Sequence, residues 1–152
     1  MVITERMKVY PLSTEKLKET VEMGRDEVLK SAYREMLEGC LRCPEKHVWY
    51  TLWAMELLDS ENEVVGKLSF KGITEDGRVE IGYGIGEGYE NKGYMTEAVG
   101  AVVEWAAGQP GVKQIEAEAE RENIASVRVL EKCGFVASGE MGAEGMRFVW
   151  QG

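Results

Sequence analysis

The sequence predicts one domain of the α+β, or mixed α/β, class built around a single sheet. Its 152 residues are a length that suits one domain. Apolar residues make up 44% of the chain and charged residues 30%, which is ordinary for a globular protein with a buried core. Segments with strand and helix periodicity follow one another in the order β-αα-βββ-α-β-α-ββ. We therefore expect residues 1–152 to form a single domain.

The first half of the chain predicts one strand, two helices and a hairpin. Residues 7–12 are typical of a short strand closed by Pro11, and a helix begins after Ser13 and is interrupted at Gly24. Residues 48–58 are apolar or aromatic at nearly every position, which predicts a central strand buried on both faces. A turn at residues 61–63 joins this strand to its hairpin partner at residues 64–73.

The second half alternates strands and helices. Asp76-Gly77 is a strong hairpin signal before the third consecutive strand, residues 79–85. Apolar residues at helical spacing over residues 95–106 predict an amphipathic helix that ends before Gly108. A strand at 112–120, a short helix stopped by Gly134 and two strands at 135–141 and 146–150 complete the domain.

Charge and composition exclude several classes of function. The formal charge of −9 disfavours nucleic-acid binding, which depends on neutralising phosphates. It indicates either a cationic partner or substrate, or a surface that serves only solubility. No apolar run reaches the roughly 18 residues that a membrane span requires, and no signal peptide is evident, so we expect a cytoplasmic location. Cys40 and Cys43 form a CxxC pair near His47, but a zinc site needs a fourth ligand, so we expect incidental cysteines and no metal.

The strand at residues 79–85 has one apolar face and one nearly bare face, because side chains alternate along a strand. The apolar face carries Val79, Ile81, Tyr83 and Ile85. The other carries Glu80, Gly82, Gly84 and Gly86. A glycine inside a strand costs about 0.5–1 kcal/mol relative to alanine. The series therefore indicates either close approach of an extended, amide-containing ligand to the backbone, or a bulge or tight packing against a neighbouring element.

The helix that follows this strand begins with features of an anion site. Free N–H groups and the helix dipole favour negative charge at a helix start, Gly93 lets a phosphate reach the backbone, and Lys92 adds positive charge. The glycines match neither a dinucleotide-binding fingerprint nor a Walker A loop. A plain glycine-rich connector is the alternative.

Two motifs in this half of the chain are specific: "ENKGYM" at residues 90–95, which continues as "GYMTEA", and "NIASVRVLEKCGF" at residues 123–135. They resemble motifs of the GNAT acetyltransferase superfamily. Residues 90–95 lie where that family has its pyrophosphate motif. "GYMTEA" and the second motif resemble the branch that acetylates N-terminal residues of ribosomal proteins. The resemblance implies a mostly antiparallel sheet with helices on both faces, splayed beside the fourth strand. It also implies acetyl-CoA as cosubstrate and a primary amine as acceptor.

The resemblance also implies the residues of the cosubstrate site. Backbone amides along the helix start would hold the pyrophosphate: Asn91, Lys92, Gly93, Tyr94, Met95 and Thr96. Backbone groups of Tyr83, Gly84 and Ile85 would pair with the pantetheine arm, and one of them could polarise the thioester carbonyl. Asn123 would bond to the pantetheine, and Arg128 would lie near the phosphates.

Two positions depart from the family pattern and affect the catalytic assignment. Glu90 stands where the motif usually has Gln or Arg, and we expect its side chain to point to solvent; Met95 stands where a small residue is usual. Leu130 occupies the place of the tyrosine that protonates the leaving thiolate in many members, so Ser126 becomes the candidate acid. Glu80 is the candidate general base, with His47 as the competing base.

The predicted function is acetyl transfer from acetyl-CoA to an amine, by direct transfer in a ternary complex. The acceptor is either a protein N-terminus or a small-molecule amine. The helix break at residues 23–27 is the expected place of acceptor contacts, where the acidic Glu22, Asp26 and Glu27 could attract a cation. The alternative is a non-catalytic, CoA-binding regulatory module. Exposed sheet edges leave a homodimer open.

Overall fold

The computed structural model describes residues 1–60 and 62–152. Its strands are β1 Val2–Ile3, β2 Met7–Pro11, β3 Leu52–Leu57, β4 Val64–Ile73, β5 Arg78–Ile85, β6 Gln114–Ala119, β7 Phe135–Met141 and β8 Met146–Trp150. Its helices are α1 Thr14–Met23, α2 Glu27–Arg42, α3 Tyr94–Ala107 and α4 Ile124–Lys132, with a 3-10 helix at Pro44–Trp49. The predicted order of elements is confirmed, with β1 and the 3-10 helix as additions.

All described strands belong to one sheet, in the order β1-β2-β3-β4-β5-β6-β8-β7. Neighbouring strands are antiparallel except β5 and β6, which are parallel. The β5–β6 ladder stops at the pair Ile81 and Ala117. Beyond it, β5 continues beside β4 to Ile85 while β6 continues beside β8 to Ala119. The two strands therefore separate, and the predicted splay is confirmed.

Helices cover both faces of the sheet, and the residues of the central strand are therefore buried on both sides. Trp53 and Met55 of β3 join the main core, which α3 covers. The alternate residues Leu52 and Ala54 join a second core beneath α1 and α2. This double burial confirms the predicted central strand and the mixed α/β class.

The ends of the helices have local causes. The Ser13 hydroxyl accepts a hydrogen bond from the Lys16 N–H at the start of α1, and the Asp26 carboxylate accepts from the N–H groups of Val28 and Leu29 at the start of α2. Side-chain caps of this kind satisfy N–H groups that a helix start leaves free. The predicted pair of helices joined near Gly24 is confirmed.

The predicted central strand begins four residues too early, because residues 48 and 49 belong to the 3-10 helix. Pro44 at the start of that helix has the backbone angle that helix starts favour. The indole of Trp49 then lies edge-on to Phe70, with ring centroids 4.9 Å apart. Tertiary packing of the aromatic ring therefore decides the conformation there. The turn predicted at residues 61–63 includes Glu61, which lies outside the described residues.

Among the residues that the structure describes, each helix is too short or too polar to cross a membrane.

Candidate active site

The bare face of β5 is open where the sequence predicts it to be. A Cβ added to Gly82 or Gly84 would meet no atom within 4 Å. On the opposite face Tyr83 and Ile85 pack against the main core. Gly86 differs, because a Cβ there would lie 3.0 Å from the Val65 carbonyl oxygen. Two of the three glycines therefore clear a surface, and the third allows tight packing.

The backbone of β5 turns its hydrogen-bonding groups alternately toward β4 and toward the gap beside β6. The Gly86 N–H donates to the Val65 carbonyl, 2.7 Å away. Because antiparallel pairs alternate in hydrogen bonding, Gly84 also faces β4 with its N–H and C=O. The corresponding groups of Tyr83 and Ile85 then face the gap. Gly84 thus contributes open space, and its two neighbours contribute the backbone groups.

A cavity of about 640 Å³ fills the gap between the separated strands and the starts of α3 and α4. It brings together eleven of the residues that the sequence predicts for the site: Tyr83, Gly84, Ile85, Asn91, Gly93, Tyr94, Met95, Thr96, Asn123, Ser126 and Arg128. The predicted Glu80 and Lys92 do not line it, and Lys132 of α4 lines it without having been predicted. A basic residue two turns into a helix carries no sequence signal of its own.

The start of α3 lines this cavity and has no side-chain cap for its first N–H groups. Gly93 is the N-cap residue, adopts a left-handed φ of 79° and supplies no capping side chain. Asn91 is also left-handed, with φ 62°. The first-turn N–H groups of a helix without a side-chain cap are available to an anion, and the helix dipole favours its charge. Lys92 is exposed, and its carbonyl accepts a hydrogen bond from the Arg6 guanidinium.

Glu97 anchors this helix start to the N-terminal segment. Its carboxylate accepts hydrogen bonds from the Thr4 hydroxyl, the Arg6 backbone N–H and the Arg6 guanidinium. Burial alone would raise the pKa of Glu97, but these hydrogen bonds outweigh it and hold the pKa below its ordinary value. Arg6 also stacks over the Tyr94 ring, 4.3 Å from its centroid. The loop before α3 is therefore held in place from outside the cavity.

The two departures from the family motif have structural explanations. The Glu90 side chain is exposed, and its carboxylate accepts from the Gly88 N–H at 2.9 Å, so it stabilises its own loop. Met95 is 8% exposed, with its side chain in the main core. A large residue at this position is therefore accommodated by the core.

Tyr83 and Ser126 form a hydrogen-bonded pair at the wall of the cavity. The Tyr83 hydroxyl lies 3.0 Å from Ser126 Oγ and 3.2 Å from the Ser126 carbonyl oxygen. Burial raises the pKa of Tyr83 to about 12, so the phenol stays protonated at neutral pH. Leu130 is fully buried in the core. Ser126 is thus the hydroxyl that α4 offers to the cavity, and Tyr83 is its partner.

Glu80 lies on the bare face of β5 in a network of charged groups. Lys71 Nζ is 2.8 Å and an Arg147 nitrogen is 3.2 Å from its carboxylate oxygens. Arg147 also pairs with Glu116 and Glu118 of β6. Glu80 is 19% exposed, so the network is partly shielded from water.

Three carboxylates of this region could together hold a cation. One oxygen from each of Glu80, Glu118 and Glu144 lies within 4.8 Å of the others. Lys71 bonds to Glu144 as well as Glu80, and Arg147 pairs with Glu118, so the protein's own cations already supply the counter-charge.

Cys40, Cys43 and His47 do not line this cavity, whereas Cys133 lies beside it and its thiol donates to the Thr96 carbonyl oxygen, 3.4 Å away. Cys40, Cys43 and Cys133 are free thiols, and Cys40 is buried. Burial raises the pKa of Cys133 to about 11, which keeps it protonated and non-nucleophilic at neutral pH. His47, the competing base, lies in the 3-10 helix and does not line this cavity.

A second cavity of about 350 Å³ lies at the junction of α1 and α2, above β4. Its charged lining residues are Arg25, Asp26, Lys30 and Lys67. Glu22 and Glu27, which the sequence suggests as attractors of a cation, are exposed and do not line it. The region of the helix break is therefore a cavity, but its charge is mostly positive.

The cavity thus joins the end of a separated strand to a helix start that has no side-chain cap. The chain belongs to the acetyltransferase (GNAT) domain family, whose family model matches residues 7–136. This confirms the family that the two sequence motifs indicate.

Comparisons with known proteins agree with this family. The uncharacterized N-acetyltransferase YjdG of Bacillus subtilis is 37% identical over 75 residues, which are 49% of this chain and 45% of that protein. The chain spans about half the length of the curated relatives it matches.

Two solved structures share the fold over almost the whole chain. RimL, a ribosomal L7/L12 alpha-N-protein acetyltransferase solved with coenzyme A, superposes with a TM-score of 0.73 at 16% identity, covering 97% of this chain and 94% of that one. The ribosomal-protein-S5-alanine acetyltransferase from Vibrio fischeri has a TM-score of 0.73 at 18% identity, covering 97% and 92%. At this identity the likeness shows the fold.

Proposed function

We propose that the protein is an acetyl-CoA-dependent N-acetyltransferase that transfers the acetyl group directly to a primary amine in a ternary complex. The observation that carries this proposal is the separation of β5 and β6 after Ile81 and Ala117, beside a helix start without a side-chain cap. Membership of the GNAT family and the shared fold of RimL, solved with coenzyme A, support it.

The cavity has groups that suit the phosphates and the pantetheine arm of acetyl-CoA, which supplies an activated acetyl group when bound. The N–H groups from Asn91 to Thr96 suit its pyrophosphate. Arg128 and Lys132 of α4 have exposed side chains at the cavity and add positive charge near the phosphates. Backbone groups of Tyr83 and Ile85 face the gap, where the pantetheine amides would pair with them. Asn123 Oδ1 accepts from the Ser126 N–H, which leaves its amide N–H groups as donors.

The open face of β5 is where we place the amine. Gly82 and Gly84 leave space directly beside the cavity. The new nitrogen–carbon bond forms as the carbon–sulfur bond breaks. The ammonium gives up two protons, of which one ends on the sulfur and the other passes to solvent through a base. Holding the amine against the thioester supplies much of the acceleration.

Glu80 is our candidate for the base. It lies two residues before Gly82 on the same face, and it pairs with Lys71 and Arg147. Neither oxygen is free in this arrangement, so Glu80 accepts a proton after the acceptor ammonium replaces Lys71 at its carboxylate. The exposed side chain of Lys71 has room to move aside.

Ser126 is our candidate for the group that returns a proton to the sulfur. Its hydroxyl lines the cavity and is bonded to Tyr83. When the Tyr83 hydroxyl donates to Ser126 Oγ, the serine proton is directed away from Tyr83 and is available to the thiolate. One of the two protons lost by the ammonium then restores the serine hydroxyl, so that the net transfer is from the amine to the sulfur. Cys133 stays protonated, so the proposal involves no acetylated cysteine.

Thiol release from acetyl-CoA across a panel of amines tests the proposed function. The panel includes amino acids, polyamines, aminoglycosides and peptides with free N-termini. We expect one class to release thiol and to yield an N-acetylated product in equal amount. Acetyl-CoA binding measured by calorimetry, together with no product from any amine, would contradict the proposal.

A further inference from the structure

The lining of the second cavity, at the junction of α1 and α2, is mostly positive, whereas the chain as a whole is negative. The chain carries a formal charge of −9. Arg25, Lys30 and Lys67 nevertheless line this cavity with Asp26 as the only described carboxylate among them. The Asp26 carboxylate accepts from two backbone N–H groups at the start of α2, which engages part of its charge in capping. The cavity therefore favours a negatively charged group.

Lys67 is the cation in this cavity that is best placed to bind an anionic group. Within the described part of the chain, no carboxylate lies within 4.0 Å of Lys67, Arg25 or Lys30. Lys67 is only partly exposed, and its ammonium lies 5.6 Å from the centroid of the Tyr33 ring. Lys71, on the same face of β4, is in contrast paired with two carboxylates.

The second cavity adjoins the proposed cosubstrate cavity across one pair of residues. Lys67 lies directly opposite Gly84 in the β4–β5 ladder, and Cα atoms of such pairs are about 5.5 Å apart. Lys67 lines the second cavity, and Gly84 lines the first. Opposite residues in a ladder project from the same face, so the Lys67 side chain borders the open surface above Gly84.

We propose that the acceptor is a small amine that carries a carboxylate, as amino acids do. Lys67 binds the carboxylate, Arg25 and Lys30 attract it at the mouth of the cavity, and the amine lies over Gly82 and Gly84. This inference rests on the proposed acetyltransferase function and names its substrate class. A volume of about 350 Å³ suits a compact ligand. Polyamines have no group for Lys67 and are disfavoured.

The test compares amino acids with their own carboxamides as acceptors, by following thiol release. The amine of the carboxamide is less basic, so a larger fraction of it is neutral and nucleophilic. Without any contribution from the protein, the carboxamide would therefore react faster. We expect the carboxylate form to have the higher kcat/KM by about 10- to 100-fold, the usual effect of a hydrogen bond to a charged group. A separate arm compares peptides whose second residue is acidic with the same peptides carrying the side-chain amide there. This arm shows whether the carboxylate comes from a peptide or from a free amino acid.

Lys67→Gln removes the proposed contact, and Lys67→Arg keeps the charge. We expect Lys67→Gln to lose about 10- to 100-fold in kcat/KM for the carboxylate acceptor, with little change for the carboxamide or for the KM of acetyl-CoA. Lys67→Arg should retain most of the preference. Lys18→Gln, the same change at an exposed position of α1, is the matched control and should behave as wild type.

Equal rates for carboxylate and carboxamide, or an unchanged preference in Lys67→Gln, would overturn the inference. If no amine releases thiol, the acetyltransferase proposal fails, and calorimetry then decides the site separately. In that experiment the panel of amino acids is titrated into the protein saturated with coenzyme A. Binding that Lys67→Gln weakens supports the carboxylate site, and absence of binding by all of them refutes it.

Discussion

Filling the bare face of β5 should make the protein more stable and less active at the same time. A methyl group at Gly84 would meet no atom within 4 Å, and the backbone there has no left-handed φ that would strain a side chain. Glycine inside a strand costs about 0.5–1 kcal/mol relative to alanine. Gly84→Ala should therefore raise the free energy of unfolding by about 0.5–1 kcal/mol. For a chain of this size, that corresponds to a rise in Tm of about 1–4 °C.

A larger side chain in the same space should impair binding of the amine substrate. The space above Gly84 is where we place the acceptor, and overfilling a fitted site costs about 1–3 kcal/mol. Gly84→Val should then lower kcat/KM for the amine by about 10- to 100-fold. The KM of acetyl-CoA should change less, because the cosubstrate pairs with the backbone of Tyr83 and Ile85. Calorimetric unfolding of Gly84→Ala and thiol release by Gly84→Val measure the two effects.

Two other glycines serve as controls. Gly100→Ala in α3 places its Cβ 3.8 Å from Cys133 Sγ, an ordinary contact, and should stabilise the protein without loss of activity. Gly66→Ala places its Cβ 2.9 Å from the Gly84 carbonyl oxygen and should destabilise it. A Gly84→Val protein with full activity, or a Gly84→Ala protein that unfolds more easily than wild type, would refute the reasoning.

Three further predictions concern the charged and hydroxyl groups around the site. Glu80→Gln should lower kcat by about 10²-fold or more, the usual contribution of a general base, with little change in acetyl-CoA affinity; full turnover would remove Glu80 from the mechanism. Tyr83→Phe should lower kcat about 5-fold with unchanged KM for acetyl-CoA, since one hydrogen bond to Ser126 is lost, and should have no added effect in a Ser126→Ala background. Glu97→Gln should lower the free energy of unfolding by about 1–3 kcal/mol at pH 7, measured by denaturant unfolding, because hydrogen bonds to its charge are lost.

The pH dependence of the Glu97 effect follows from its pKa. The pKa of Glu97 is lowered in the folded protein from an ordinary value of 4.5. The stability that the charged carboxylate contributes is therefore present above pH 4.5 and is lost as the pH falls through the lower, folded-state pKa. The gap between wild type and Glu97→Gln should shrink below about pH 4.5. A gap that stays constant from pH 7 to pH 3 would contradict this assignment.

Features that depend on short stretches of sequence were predictable. The alternation along β5 separates a core face from a bare face, and Gly82 and Gly84 follow from that period alone. Gly93 was predictable as well, because a glycine directly before a run of apolar residues at helical spacing indicates a helix start. These two patterns were sufficient to predict most of the residues that line the cavity, because the end of β5 and the start of α3 are close in sequence and both line it.

Features that depend on distant contacts were not predictable. Gly86 looks like its neighbours in sequence but packs against Val65 of another strand. Arg147 reaches Glu80 across 67 positions of sequence, so the ion pairs of the candidate base could not be foreseen. The acidic residues at the helix break suggested a cationic acceptor, whereas the fold brings Lys67 of β4 into that region. Only the register of the sheet places Lys67 opposite Gly84.

A crystal structure of the protein with coenzyme A and a carboxylate-bearing amine tests the central claim most directly. The expected structure has the pyrophosphate on the N–H groups of residues 91–96 and the pantetheine in the gap between β5 and β6. The amine should lie over Gly82 and Gly84, with its carboxylate at Lys67. Coenzyme A bound elsewhere, or a gap that stays empty in its presence, would contradict the claim.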